Sequence, residues 1–224
     1  MAEDKKSSKL IIIPGNGCSD IRNANWYQWL ADTLKSDYKN TANNLEIICE
    51  TMPDPHTARA KYWIPFIKSK LESADKVYVV GHSSGAVAIL RLCEELGQDI
   101  DAAFVVSACA THLDDANEKK SGYYPAQPDG TEKPWRFDLI RKKCKKLVFL
   151  SSVDDPFIPV DEPRFLAREL GLKKVEIKGK GNKPVEILEQ NLYDGVYFEF
   201  SNAGHFMTSS CEALRSIINA LIPV

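Results

Sequence analysis

Short apolar runs alternate along the chain with longer segments in which apolar residues recur at helical spacing. Each run is rich in β-branched or aromatic residues and is bounded by turn residues, which predicts buried strands. The predicted strands are 10–13, 45–49, 77–80, 102–106, 147–150, 175–177 and 196–200. The predicted helices are about 25–34, 57–71, 84–96, 135–143, 161–170 and 209–221. Nearly all-apolar strands separated by helices are typical of α/β proteins, so we expect a mainly parallel sheet with helices on both faces.

The pattern contains no repeat and no linker, and 224 residues suffice for one large core but are few for two. We therefore expect a single domain over 1–224, with residues 1–8 flexible. The polar stretch 107–133 is long for a connection and starts where a predicted strand ends. We expect it to fold over a site at that edge as a small lid.

Composition removes several classes of function. The formal net charge is −2, and the lysines are scattered apart from a cluster at 141–146, so we expect no nucleic-acid partner. The apolar run near the N-terminus has four residues, too few for a signal peptide or a membrane span. The six cysteines are widely spaced and show no zinc-binding pattern, which favours free thiols, no metal, no cofactor and a cytoplasmic location.

Candidate chemistry lies directly after four of the predicted strands. In parallel sheets, ligands bind beyond the carboxyl ends of the strands. The residues at those ends are Gly15-Asn16-Gly17, Gly81-His82-Ser83-Ser84-Gly85, Asp154-Asp155 and Gly204-His205. Their order along the chain, serine, then aspartate, then histidine, is the one used by α/β-hydrolases.

Ser83 is the candidate nucleophile, because a strand-to-helix turn at this point would present its hydroxyl. Gly81 and Gly85 would let the strand and helix approach at that turn. A serine needs a base and a group that orients the base, which His205 and one of the two aspartates can supply. The residues alone do not decide between Asp154 and Asp155. Three other histidines are weaker candidates for the base: His82, expected to point into the packing under the turn, and His56 and His112, expected in polar loops.

The same turn predicts an oxyanion hole. The backbone N–H of Ser84 would open a helix, where free donors favour negative charge. The second donor is expected from the loop after the first strand, at Asn16 or, less favourably, Gly17. Aromatic residues that could line an apolar substrate pocket are Trp26, Tyr123, Tyr124 and Trp135, together with Tyr27 and Trp63.

Several motifs occur together, in the order PGNG, NWYQWL, MPDPHTAR, WIPF, GHSSGA, SGYY, DDPFIP and AGHF. In this combination the chain resembles the retinoblastoma-binding protein 9 family of small serine hydrolases, over about 9–171 and again from 196 to the end. The resemblance implies a compact α/β-hydrolase without a large cap domain, acting on small esters or amides, amino-acid esters among them. It also implies Ser83 as nucleophile, His205 as base and Asp155, rather than Asp154, as the acid.

The chain departs from that family in two places. No stretch fits the L-x-C-x-E pattern of the retinoblastoma contact, and the region before the third strand reads KLESADKV, so retinoblastoma-protein binding is not expected. Residues of about 179–195 form an apparent insertion, interpreted as a surface hairpin or else as a flap or partner surface.

The main hypothesis is therefore an acyl-enzyme hydrolase that acts on a small-molecule ester or amide. One alternative is a protein-interaction module that retains the hydrolase fold, with the insertion as its docking surface. Another is a thioesterase or peptidase that uses the same three residues.

Overall fold

A seven-stranded parallel sheet forms the centre of the molecule. The computed structural model describes residues 7–39, 41, 45–127, 129–185 and 195–222. The strands are β1 (Ser8–Ile13), β2 (Leu45–Ile48), β3 (Lys76–His82), β4 (Ala102–Val106), β5 (Leu147–Ser152), β6 (Lys173–Ile177) and β7 (Val196–Phe200). Their order across the sheet is β2-β1-β3-β4-β5-β7-β6, and neighbouring strands pair in parallel.

Helices cover both faces of this sheet. They are α1 (Tyr27–Asp37), α2 (Ala60–Leu71), α3 (Ser84–Glu95), α4 (Ala116–Ser121), α5 (Phe137–Lys143), α6 (Asp161–Glu169) and α7 (Glu212–Leu221), with a short 3₁₀ helix at Ile21–Asn23. The predicted α/β architecture is confirmed. Across the described ranges, no helix has both the length and the apolar character needed to cross a membrane.

Two hydrophobic cores follow from the alternation of side chains along the strands. Val77 and Val79 of β3 pack on one face with apolar residues of α2, α3, α5 and α6. Tyr78 and Val80, the intervening residues, pack on the opposite face with α1 and α7. The central strands are apolar throughout because both of their faces are buried.

Two segments singled out in the sequence, 1–8 and 179–195, lie partly outside the described residues. Ser8 begins β1 and pairs with both β2 and β3, and the preceding Ser7 N–H donates to Asp75 Oδ2 at 2.7 Å. The flexibility predicted for 1–8 stays a prediction. Residues 1–6 lie outside the described residues. The predicted hairpin at 179–195 falls largely on residues 186–194, which also lie outside them, while Val185 N–H donates to Ser216 Oγ of α7 at 2.9 Å.

Helix α4 was missed by the sequence pattern. It lies within the polar segment 107–133, where Asp115 caps it by accepting hydrogen bonds from the N–H groups of Asn117 and Glu118 at 2.8 and 2.9 Å. The helix has six residues and no apolar stripe, so helical periodicity gives no signal there.

Candidate active site

The turn between β3 and α3 holds Ser83 in a backbone conformation that serine rarely adopts, with φ 55° and ψ −122°. Its N–H donates to the Val106 carbonyl at 2.9 Å, which ties the turn to the end of β4. A Cβ at residue 81 would overlap the Gly85 carbonyl, and one at residue 85 would overlap the carbonyl oxygens of Ile13 and Pro14. The two glycines are therefore required by close approach of the backbone, as the sequence pattern predicts.

His205 and Asp155 come together from the loops after β7 and β5. The distance from His205 Nδ1 to Asp155 Oδ2 is 2.7 Å, and the Asp155 side chain is 2% exposed. Burial raises the pKa of Asp155, but the hydrogen bond from His205, the attraction to that imidazole and the N–H donors of Ile158 and Phe157 outweigh it, so the pKa is lowered. Asp155 is therefore an ionised acceptor, which orients Nδ1–H toward itself and leaves Nε2 free to act as a base.

Asp154 has a different set of partners. Its Oδ1 accepts hydrogen bonds from Ser152 Oγ at 2.5 Å and from Gly204 N–H at 2.9 Å. It thus fixes the loop that carries His205 without contacting the imidazole. Of the two aspartates between which the sequence did not decide, Asp155 is the one in contact with the imidazole.

Ser83 and His205 line the same cavity, whose volume is about 840 Å³. Segment 107–133 contributes Cys109, Leu113 and Glu118 to its wall, so this segment borders the site. Among the described residues no hydrogen bond is made by Ser83 Oγ, which leaves the hydroxyl available to the cavity. The hydrogen bond between a nucleophilic serine and its histidine base is often long before substrate binds.

The loop after β1 brings further backbone N–H groups close to the turn at Ser83. A Cβ at residue 15 would lie 3.1 Å from Ser83 Cβ, so the loop after β1 approaches the turn closely because that residue is Gly. Gly15 N–H donates to Tyr27 Oη and Gly17 N–H donates to the Pro55 carbonyl. Within the described ranges, the N–H groups of Asn16 and Ser84 have no protein acceptor. Both are therefore available to donate to an oxyanion.

A buried hydrogen-bond network connects these parts beneath the turn. His82 Nε2 lies 2.8 Å from the His205 carbonyl oxygen, so Nε2 carries the proton and donates. Nδ1, 2.6 Å from Tyr27 Oη, therefore accepts the tyrosine proton. Burial, together with repulsion from His205, lowers the pKa of His82 from 6.5 to about 3. His82 is thus a neutral residue buried in the packing under the turn, as predicted, although it also borders the cavity, and its link to Tyr27 was not foreseen.

The four aromatic residues predicted to line the pocket lie elsewhere. Among the described residues that border the cavity, none is Trp26, Tyr123, Tyr124 or Trp135. Trp26 is core and donates its indole N–H to the Phe206 carbonyl, Tyr123 is fully buried, and Trp135 packs against the Arg91 guanidinium. Tyr124 reaches only the layer behind the wall, where its hydroxyl donates to Glu118. Large aromatic side chains gain more by burial in the core, which explains the correction. Trp63 is also core, and of the six aromatic candidates Tyr27 borders the cavity.

Three features of the cavity were missed by the sequence. Phe157 and Met207 border it beside His205 while remaining 61% and 60% exposed, and Glu118 extends into it from α4. The one signal in the sequence was a large apolar residue, Phe157, directly after the candidate acids in Asp-Asp-Pro. His56 and His112 are not among the described residues that border the cavity, and the His112 ring accepts from Asp114 N–H.

Comparisons of the amino-acid sequence with known proteins find serine hydrolases. A family model described as "Serine hydrolase" matches residues 10–186. The chain is 29% identical over 215 residues to the serine hydrolase RBBP9 of Rattus norvegicus, covering 96% of each protein.

Solved structures show the same fold at low identity. The ydeN gene product of B. subtilis superposes with a TM-score of 0.70 at 20% identity, covering 96% of this chain and 98% of that chain. Est1E of Butyrivibrio proteoclasticus, solved with ferulic acid bound, superposes with a TM-score of 0.60 at 13% identity, covering 97% and 89%.

Proposed function

The chain belongs to the serine hydrolase family, and from that premise we propose that it hydrolyses small carboxylic esters or amides through an acyl-enzyme on Ser83. In this proposal His205 is the general base and acid, Asp155 orients its imidazole, and the N–H groups of Asn16 and Ser84 form the oxyanion hole.

The reaction proceeds in two halves. Ser83 Oγ attacks the substrate carbonyl carbon while Nε2 of His205 takes the hydroxyl proton. The oxyanion accepts hydrogen bonds from the N–H groups of Asn16 and Ser84. Collapse of the tetrahedral intermediate expels the alcohol or amine, which receives the proton from Nε2. Water then attacks the acyl ester with its proton passing to Nε2, and the acid leaves as Ser83 regains its proton.

One observation carries the proposal. A serine in a strained strand-to-helix turn borders the same cavity as an imidazole whose Nδ1 is 2.7 Å from a buried carboxylate. Strain of this kind costs of order 1–3 kcal/mol, and it is concentrated at functional sites.

The cavity also supports a substrate with an apolar group. Phe157 and Met207 expose large apolar side chains at its border, and the Phe157 ring lies 5.1 Å from the His205 ring between centroids. An acyl or alkyl group of the substrate would remove this surface from water. We expect esters with short aliphatic or aromatic groups to be better substrates than strongly charged ones.

Labelling with a fluorophosphonate probe tests the proposal. The wild type and Ser69→Ala should be labelled at one site, because Ser69 lies on the exposed face of helix α2, where its hydroxyl donates to the Phe66 carbonyl. Ser83→Ala, folded by circular dichroism, should not be labelled. Equal labelling of Ser83→Ala would refute the proposal.

A matched panel of ester, thioester, amide and dipeptide substrates with one acyl group separates hydrolase subclasses. We propose that the oxygen ester gives the highest kcat/KM. A higher value for the thioester or dipeptide would reassign the enzyme to thioesterase or peptidase chemistry with the same residues.

A further inference from the structure

Glu118 borders the cavity, and the mechanism above has no use for its carboxylate. We propose that Glu118 is a positioning residue that holds the two oxyanion donors in register across separate segments of the chain. This inference depends on the proposed function, because it concerns the same oxyanion hole.

Glu118 reaches the site from helix α4. The other residues of 114–120 are exposed, whereas Glu118 is half-buried and borders the cavity with Ser83. Burial raises the pKa of Glu118 above its ordinary value, although the hydrogen bonds from Ser84 and Tyr124 oppose this effect. A glutamate on a short surface helix would normally be solvated, so its turn into the cavity needs a reason.

The contacts of Glu118 supply that reason. Oε1 accepts hydrogen bonds from Asn16 Nδ2 at 2.9 Å and from Ser84 Oγ at 2.5 Å. Oε2 accepts from Tyr124 Oη at 2.7 Å. A single carboxylate oxygen thus joins the side chains of the two residues whose backbone N–H groups form the proposed oxyanion hole.

Joining these residues matters because they belong to different elements. Asn16 lies in the loop after β1, and Ser84 is the first residue of α3. The backbone of each carries one donor, and both donors must lie about 3 Å from the same oxygen in the transition state. A shared acceptor on their side chains fixes the separation of the two residues, and Tyr124 fixes the acceptor from the opposite side.

The electrostatic setting agrees with a role that depends on hydrogen-bond geometry rather than on charge. Within the described residues no Lys, Arg or His forms an ion pair with Glu118, and its three donors are an amide and two hydroxyls. A full negative charge close to a developing oxyanion would oppose it. The useful property of Glu118 is therefore its acceptor geometry, which a neutral isostere can reproduce.

Two variants of Glu118 separate geometry from charge. Glu118→Ala removes all three hydrogen bonds. Glu118→Gln keeps an amide oxygen that can accept from Asn16 and Ser84, while its NH₂ faces the Tyr124 hydroxyl, which can also accept.

Glu162→Ala is the matched control. Glu162 Oε2 accepts from the N–H groups of Ala110 and Thr111 at 2.7 and 2.9 Å. Its loss also releases segment 107–133, but it contacts neither Asn16 nor Ser84 in the described structure.

The measurement is kcat and KM on p-nitrophenyl acetate, which is neutral, and on a p-nitrophenyl amino-acid ester, which is cationic, with Ser83→Ala as reference. Glu118→Ala should lower kcat on both esters by about ten- to a hundredfold, below the 10²–10³-fold cost of deleting a donor. KM should change less than about threefold, since an oxyanion contact acts mainly on the transition state. Glu118→Gln should restore kcat to within about threefold of wild type, and Glu162→Ala should retain it.

Each other result has a defined meaning. Wild-type kcat in Glu118→Ala, with Ser83→Ala inactive, overturns the inference and leaves the proposed function standing. A loss in Glu118→Gln confined to the cationic ester also overturns it, because Glu118 would then bind substrate charge. An equal loss in Glu162→Ala would reduce Glu118 to a lid tether. Activity in Ser83→Ala refutes the proposed function itself.

Ser84→Ala carries the test where Glu118→Ala does not fold. It removes only the hydroxyl that donates to Glu118 and leaves the backbone N–H of residue 84 in place. We expect a loss in kcat of about three- to tenfold, smaller than the loss of a donor itself, and an unchanged kcat would overturn the inference.

Discussion

Two adjacent aspartates follow β5, and each fixes a different part of the loop that carries His205. Asp155 accepts from the imidazole, whereas Asp154 accepts from the Gly204 backbone N–H one residue before it. The amino-acid sequence contains both residues but not their directions. Which carboxylate meets the ring depends on the backbone of residues 152–158, and this explains why spacing alone left the choice open.

Substitution of each aspartate by asparagine should therefore give different losses. In Asp155→Asn the amide oxygen would face the N–H groups of Phe157 and Ile158, and the NH₂ would face His205 Nδ1. That arrangement puts the imidazole proton on Nε2, where it blocks acceptance from Ser83, so kcat should fall by about 10³- to 10⁴-fold. Steady-state ester hydrolysis measures the effect.

Asp154→Asn is the matched comparison. Its amide oxygen can still accept from Ser152 and Gly204, so we expect a loss of less than about tenfold. Equal losses in the two variants would contradict the assignment of Asp155 as the orienting acid.

His82 gives the protein a pH-dependent stability. Its pKa is 6.5 ordinarily and about 3 when folded, so the folded state binds fewer protons than the unfolded state between these values. This contribution is complete above about pH 6.5 and is lost as the pH falls toward 3. Between about pH 7.5 and 5, the wild type should lose about 2 kcal/mol more unfolding free energy than His82→Gln.

Urea unfolding at the two pH values tests this expectation. The difference between the two proteins isolates residue 82, since Asp155 and Glu199, whose pKa values are lowered, are present in both. Parallel curves for the wild type and His82→Gln would show that His82 is not held neutral by burial.

At the scale of elements, the tight connection between β3 and α3 leaves no room for a side chain at residues 81 and 85. Helix α3 begins directly against the carbonyl oxygens of Ile13 and Pro14, with residue 85 at the contact. The glycine pattern predicted this approach because only a tight turn needs small residues at both positions. The contact partner on β1 was not predictable, since it depends on the strand order.

Gly85→Ala should destabilise the protein for this reason. Its Cβ would overlap two backbone oxygens, which have no rotamer to relieve the clash, so we expect a loss of about 3 kcal/mol in unfolding free energy. Gly97→Ala, where no atom lies within 4 Å of the added Cβ, should change it by less than about 1 kcal/mol. Equal free energies of unfolding for the two variants would contradict the contact.

The elements themselves were largely predictable, and the exceptions have a common cause. Strands buried on both faces and helices with an apolar stripe leave clear periodic signals, and each of them was located. Helix α4 leaves no periodic signal, because its polar residues form no apolar stripe. It contacts the site through the carboxylate of Glu118. Glu118 was therefore invisible in a segment that reads as a solvated loop.

At the scale of the molecule, the strand order collects the site. β1, β3, β4, β5 and β7 are consecutive across the sheet, and the loops after β1, β3, β5 and β7 supply Asn16, Ser83, Asp155 and His205. The loop after β4, in the middle, supplies the segment that borders the cavity. Parallel pairing puts these five carboxyl ends at one edge, which explains how a rule about strand ends located the candidate residues.

Pocket composition belongs to the same scale and was the least predictable feature. Whether an aromatic residue packs in the core or lines a cavity depends on the packing of the complete fold. The sequence around Trp26 and Trp135 does not indicate which of the two occurs. By contrast, Phe157 borders the cavity because its loop also positions Asp155.

Mass spectrometry of the intact protein and of its proteolytic peptides, after rapid acid quench of a reaction with p-nitrophenyl acetate, tests the central claim most directly. The account predicts that the wild type gains one acetyl group on the peptide that contains Ser83, and that Ser83→Ala gains none. An acetyl group on another residue, or sustained turnover by Ser83→Ala, would contradict it.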